Sequence, residues 1–253
     1  MSHTDTTRLM AKTLGQLIEA SKDPAMASMS MEDLTALLER LSTPPAPPPE
    51  ADGQRPQRWQ DRLIEQRIAP GSFVLDLGCG TGELIARLMQ HRNVRGQGVE
   101  LDAEAVFQCA ARGVPVFQSD LDEGLKGFAD QSFDYVVLEE TLQTLRRPVD
   151  VLEEMLRVGR HGIVSFPNFA YWRVRLNLAL GGRMPETENL PYRWYDTPNI
   201  HLFTLQDFLD WAGKNGVRIV EGHVLAEGVV RPLKADDNLH AEEVLVVVER
   251  ATA

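Results

Sequence analysis

The residues best suited to chemistry lie in one stretch, Val74-Leu75-Asp76-Leu77-Gly78-Cys79-Gly80-Thr81-Gly82-Glu83. An apolar run passes straight into three glycines and then into a helical pattern. Glycines at such a junction let the backbone turn sharply and let a ligand lie against it without meeting a Cβ. The spacing is G-x-G-x-G, not the G-x-G-x-x-G of a dinucleotide turn, and the lysine of a P-loop is missing. Asp76 stands just before the turn. Its carboxylate would repel a pyrophosphate and attract an ammonium group, so the loop suits a cationic nucleoside better than NAD or ATP.

Two further acids fall at matching places. Glu100 ends the next strand-like run, 20 residues beyond Gly80, where a carboxylate can accept from both ribose hydroxyls. Asp120, in Gln118-Ser119-Asp120-Leu121, follows the third run and can accept from an exocyclic amine such as that of adenine. Acids at the ends of three consecutive strands would all face the crevice where open α/β sheets bind ligands.

Groups able to move a proton are fewer. Glu140 can follow the fourth strand into the crevice, or it is an acid favoured by a helix start. His201 can reach the pocket mouth, or it is held by local hydrogen bonds before Thr204. Tyr192, Trp194 and Tyr195 are placed to form a lid, a protein contact or an apolar plug. Arg173 and Arg175 are able to bind a carboxylate or to form a solvated helix face. Cys79 and Cys109 read as packing residues, because no histidine is paired with either. They are also too few for a disulfide framework or a zinc cluster, and no metal is expected.

The elements that must position these groups alternate in type. Strands are expected at 73–77, 97–101, 114–118, 133–138 and 162–166, with late strands at 217–224 and 244–248. Helices are expected at 82–91, 103–112, 148–157 and 204–214, the last opened by a capping box of Thr204 and Asp207. Such alternation specifies a parallel sheet with helices on both faces. Ahead of it, Pro44-Pro-Ala-Pro-Pro-Pro49 marks a stiff spacer, so the chain divides into an extension at 1–43, a linker at 44–57 and a domain at 58–253. The extension holds two short amphipathic patterns, on Met10, Leu14, Leu17 and Ile18 and on Leu34, Leu37, Leu38 and Leu41, the second with a Ser30/Asp33 capping box. It is either a loose appendage or a docking element.

Of 253 residues, 37 are acidic and 26 basic, giving a formal charge of −11 that argues against tracking nucleic acid by charge. No apolar run approaches the roughly 18 residues that suggest a membrane helix. The polar start Met1-Ser2-His3-Thr4-Asp5 lacks the pattern of a signal peptide, so a cytoplasmic protein with reduced thiols is expected.

The strings VLDLGCGTG at 74–82, GVELD at 98–102, SDLD at 119–122 and FDYVVLEETLQ at 133–143 resemble the class I S-adenosylmethionine-dependent methyltransferases. That resemblance implies a Rossmann-like, seven-stranded sheet whose last strand is antiparallel. It implies that Asp76, Gly78 and Gly80 line the methionine portion of S-adenosylmethionine or S-adenosylhomocysteine, that Glu100 holds the ribose, and that Asp120 with Leu121 holds the adenine. Cys79, Gly82, Leu101 and Glu139 complete the implied cofactor contacts. A narrower resemblance rests on Arg146-Arg147-Pro148, Met155-Leu-Arg-Val158, Gly162-Ile-Val-Ser-Phe-Pro-Asn168, Tyr171-Trp-Arg-Val-Arg-Leu176, Gly182-Arg-Met-Pro185 and LPYRWYDTPNIHL from 190. Over residues 60–250 the chain is similar to the methionine-biosynthesis protein W (MetW) family. The similarity implies a role beside homoserine O-acyltransferase, as partner or regulator, and leaves methyl transfer to a small molecule as the alternative. Thr81 stands where that pattern has an acid, and Glu139-Glu140 stand where it has uncharged polar residues.

Overall fold

The computed structural model describes residues 58–251 apart from Glu188. The two leader patterns and the 44–57 linker lie outside the described residues. The described chain opens with α1 (Trp59–Arg67), β1 (Phe73–Leu77), α2 (Glu83–Arg92), β2 (Arg95–Glu100), α3 (Ala103–Ala111) and β3 (Val116–Gln118). It continues with β4 (Phe133–Glu139), α4 (Pro148–Val158), β5 (Gly159–Pro167), α5 (Trp172–Gly181) and α6 (Leu205–Lys214). It ends with β6 (Val217–Ala226), β7 (Val229–Pro232), α7 (Asp237–His240) and β8 (Glu243–Arg250).

One sheet of eight strands holds all of this, in the order β3-β2-β1-β4-β5-β8-β6-β7. The first five strands pair in parallel, and β8 runs antiparallel to both β5 and β6. The expected antiparallel last strand is present, but the sheet has eight strands, not seven. The additional one is β7, a four-residue hairpin partner of β6. The expected capping box of α6 is formed, with Thr204 and Asp207 each accepting from the other's backbone N–H.

Side-chain parity decides which face each residue serves. Val74 packs with Ile64, Ile85 and Leu88 on the side covered by α1 and α2. Leu75 and Leu77 pack on the other side, with Leu152, Met155 and Phe208. Burial on both faces explains the unbroken apolar runs of the central strands. The same parity sends Asp76 to the α1 side with Val74. On β4 it sends Glu139 there with Tyr135 and Val137, and on β8 it sends Glu243 there with Leu245 and Val247. A row of acids therefore crosses one face of the sheet where the parallel strands end.

A second buried polar centre sits beyond the end of β5. Asn168 Nδ2 donates to the carbonyls of Ala241 and Asn238 at 2.9 and 3.1 Å, and reaches that of Asp237 at 3.5 Å. Its Oδ1 accepts from the N–H groups of Ala170 and Leu205 at 3.2 and 3.0 Å. One side chain thus ties β5 to the start of α6 and to the approach to β8.

Candidate functional site

The glycine turn forms as the parallel sheet requires. Gly78 and Cys79 both donate to the Val99 carbonyl, which pins the turn to the end of β2. Gly78 has a φ of +72°, and a Cβ there would lie 2.6 Å from Thr141 Oγ1, so the turn is packed against the second residue after β4. Gly80, with φ +53°, has nothing within 4 Å of its Cβ position and faces open space. This is the arrangement of a cradle. One glycine is demanded by a neighbouring strand end, and the other leaves room for a ligand.

Glu100 sits in the crevice beside that room. Its Oε2 accepts from Gly80 N at 2.8 Å, and its Oε1 accepts from Leu101 N and Asp102 N at 2.7 and 2.9 Å. Three backbone bonds fix the carboxylate, and a carboxylate has about four acceptor positions, so capacity remains for a hydroxyl. Leu101 is 62% exposed next to it, an apolar surface for a flat ring. Asp120 accepts from Asp122 N at 2.9 Å, opening a one-turn helix at 121–123, while Leu121 is buried in the core. Cys79 and Cys109 are free thiols with sulfurs 3.7 Å apart, and Cys109 also reaches the Gly80 carbonyl. Both pack beneath the turn, and burial pushes both thiols up. The residues of the turn thus fit the methionine, ribose and ring portions of the expected cofactor.

The other half of the site was not visible in the sequence as a unit. The start of α1 lies over the acid row. Arg58 pairs with Glu139 at 3.0 Å and with Glu140 at 3.1 Å. Gln60 Nε2 donates to Glu140 at 3.1 Å and to Glu243 at 2.9 Å, and Trp59 Nε1 also donates to Glu243. Asp61 accepts from Arg87 at 2.7 Å, and Arg87 also holds Glu65 at 3.0 Å. Burial drives the Asp76 carboxyl up to about 7, although Arg58 pulls it down. Glu139 rises to about 8 for the same reason, again against the pull of Arg58. Glu243 is raised by burial and by Glu140 beside it. These carboxyls are not a metal cage: among the described residues no group of three or more His, Cys, Asp and Glu could hold an ion.

Glu140 does not start a helix freely in solvent. It has a φ of +48°, a strained conformation for a side chain of its size, and its N–H is held by the Ser165 carbonyl at 3.1 Å. His201 is exposed, and its N–H and that of Ile200 both donate to the Gln143 carbonyl, which docks the preceding loop beside the end of β4. Tyr192, Trp194 and Tyr195 are exposed, Trp194 at 76%, so they do not plug the site. Tyr192 and Trp194 instead line a separate cavity of about 180 Å³ with Met184, Leu190 and Ile200. Arg175 is not a solvated charge, because its guanidinium donates to the carbonyls of Ala170 and Asn238. Among the described residues no helix is long and apolar enough to cross a membrane.

Arg58, Gln60 and Glu243 are the functional candidates that sequence reasoning missed. The one signal for them is Glu243, a charged residue at a buried position just ahead of the apolar run Val244–Val248.

Comparison with known proteins places this geometry. The family model described as "Methionine biosynthesis protein MetW" matches residues 58–248. A bifunctional methionine biosynthesis protein MetXA/MetW from Rhodopirellula baltica is 39% identical over 201 residues, which is 75% of this chain and 32% of that protein. A demethylmenaquinone methyltransferase from Bacillus cereus is 31% identical over 117 residues, 43% of this chain and 49% of that protein. In both cases the match spans less than half of the relative's own length. Among solved structures, a SAM-dependent methyltransferase from Thermotoga maritima, described as a possible histamine N-methyltransferase, superposes with a TM-score of 0.55. It is 17% identical and covers 75% of this chain and 87% of its own, which shows a shared fold.

Proposed function

The chain belongs to the MetW family of methionine biosynthesis proteins, and from that premise we propose that it binds S-adenosylmethionine at the glycine turn and acts as partner or regulator of homoserine O-acyltransferase. The observation that carries the binding half is the cradle itself: open space at Gly80 between the buried Asp76 and the backbone-fixed Glu100. In this reading Asp76 faces the ammonium of the methionine portion, and Gly78, Cys79, Gly80 and Gly82 offer backbone close to it. Glu100 takes a ribose hydroxyl. Leu101, Asp120 and Leu121 border the adenine, and Glu139 lies toward the sulfur. When bound, the cofactor supplies an electrophilic methyl on a positively charged sulfur. The partner half is supported by the fused MetXA/MetW relative, since two activities joined in one chain work in proximity.

Isothermal titration with S-adenosylmethionine and S-adenosylhomocysteine tests the first half. Micromolar binding, lost in an Asp76→Ala, Glu100→Ala double variant, is expected. Absence of binding by the folded protein would end this reading. Gel filtration with the acyltransferase tests the second. Co-elution at micromolar concentration is expected, and separate elution counts against it.

The match to a methyltransferase over 117 residues favours a second reading, methyl transfer to a small molecule with Glu140 or His201 as base. It needs an open acceptor space beside the methyl group. Release of S-adenosylhomocysteine in the presence of cell metabolites distinguishes it from the regulatory reading.

A further inference from the structure

Among the described residues the acid row holds more carboxyl groups, and more acceptor atoms, than its surroundings satisfy. Asp76, Glu139, Glu140 and Glu243 converge from β1, β4 and β8 and the residue after β4, and among the described residues the cation paired with them is Arg58. Arg87, reaching Asp61 on α1, is engaged by Asp61 and Glu65. Glu100, on the far side of the turn, adds another negative charge. Three buried oxygens, Glu139 Oε1, Gln60 Oε1 and Gln143 Oε1, have no hydrogen-bond partner among the described residues. All three are acceptors. Native interiors leave few such groups, and each costs free energy until a donor or a positive charge meets it.

This deficit is contiguous with the cofactor cradle. Thr141, directly after Glu140, touches Gly78, and Asp76 and Glu139 share one face and feel each other's charge. Resting on the cofactor reading above, we propose that the acid row selects the positively charged sulfonium form of the ligand over its neutral thioether product. S-adenosylmethionine and S-adenosylhomocysteine differ by one methyl group and one unit of positive charge. In water that charge is well screened. Among buried carboxylates with a single guanidinium it is felt strongly. The ammonium common to both ligands is met by Asp76, and the sulfonium alone brings a second positive charge toward Glu139. A chain built this way reports the methyl-bearing form, as a regulator of methionine supply requires, and is relieved of competition from the product.

The raised Asp76 and Glu139 carboxyls add a signature. Near neutral pH each is partly protonated, so a cationic ligand drives them to the ionised form and releases protons. The charged groups facing them are Arg58 and Asp61 from α1, Glu100 from β2, and Glu140.

The test is calorimetric titration of the full chain with three ligands: S-adenosylmethionine, S-adenosylhomocysteine, and sinefungin, which carries an ammonium where the first has its sulfonium. The two cationic ligands should bind about tenfold or more tightly than the thioether. They should also release more protons, seen as a heat that depends on the buffer's ionisation enthalpy. Glu139→Gln and Glu140→Gln should each shrink the ratio toward one, while Glu139→Asp, which keeps the charge, should retain it. Equal or tighter binding of the thioether to the unmodified chain overturns the proposal and leaves the cofactor reading intact. So does a ratio unchanged in both Gln variants. If none of the three binds the folded chain, the cofactor reading falls and this proposal with it.

Discussion

Two buried polar centres lie at the end of the sheet where the parallel strands finish, and they are finished differently. At Asn168 both donors and the acceptor are used, and all the partners are backbone groups. At the acid row the donors run out first, and the carboxyls are left with raised affinity for protons. Complete satisfaction makes a joint, because every atom specifies one arrangement of the chain. Incomplete satisfaction makes a receptor, because the missing partner has to come from elsewhere. Both centres lie within the stretch that matches the MetW family, and the second is the one proposed to receive a ligand.

The largest effect that can break this comparison is at the joint. Asn168→Ala strands the Ala241 carbonyl and the N–H groups of Ala170 and Leu205, while the Asp237 and Asn238 carbonyls keep Ala241 N and Arg175, and at about 1–3 kcal/mol for each uncompensated group the loss should be on the order of 4 kcal/mol. Urea unfolding measures it. A loss near the ordinary surface value of about 0.5 kcal/mol would show that water replaces the side chain and that the joint is not specific.

A smaller effect of opposite sign is expected in the acid row. Asp76 rises from 3.8 to about 7 on folding, and Glu139 from 4.5 to about 8. Between about pH 4 and pH 8 the native chain therefore holds protons that the unfolded chain has given up, and stability falls as pH rises through that window. Asp76→Asn removes one contributor. It should stabilise the unliganded chain at pH 8, by on the order of 2 kcal/mol, and flatten the decline of Tm with pH, while abolishing cofactor binding. A variant that is less stable at pH 8 would mean that Arg58 compensates Asp76 fully.

The smallest difference, between two glycines of one turn, sharpens the comparison further. Gly78→Ala drives a methyl into Thr141 at a left-handed φ, and should cost about 2–3 kcal/mol. Gly80→Ala meets no atom, and should cost only about 1 kcal/mol of backbone strain. Affinity for the cofactor should nonetheless drop at Gly80, because its methyl takes the ligand's space. Comparable melting temperatures for the two variants would refute this division of roles.

The half of the site that the sequence displays is the half built from local pattern. Asp76, the glycines, Glu100 and Asp120 each follow an apolar run, and a parallel sheet brings consecutive strand ends together without further information. The other half is assembled across the fold. Gln60 meets Glu243 from 183 positions away, on a helix whose buried face includes Gln60 and Asp61 as well as Ile64. A helix of that kind shows no apolar stripe, so neither α1 nor its contacts stand out in the sequence. Strand β7 escaped for a different reason. Four residues between Gly228 and Leu233 are too few for an alternation to register.

That short strand also has a consequence for the margins of the sheet. At one edge β3 offers three residues, and at the other β7 offers four, carrying Arg231 and ending on Pro232, which has no N–H to donate. Short, charged or proline-closed edges are poor templates for a strand from another chain. The sheet is thus guarded against lengthening by self-association, and encounters with other proteins fall to its loops and helix faces.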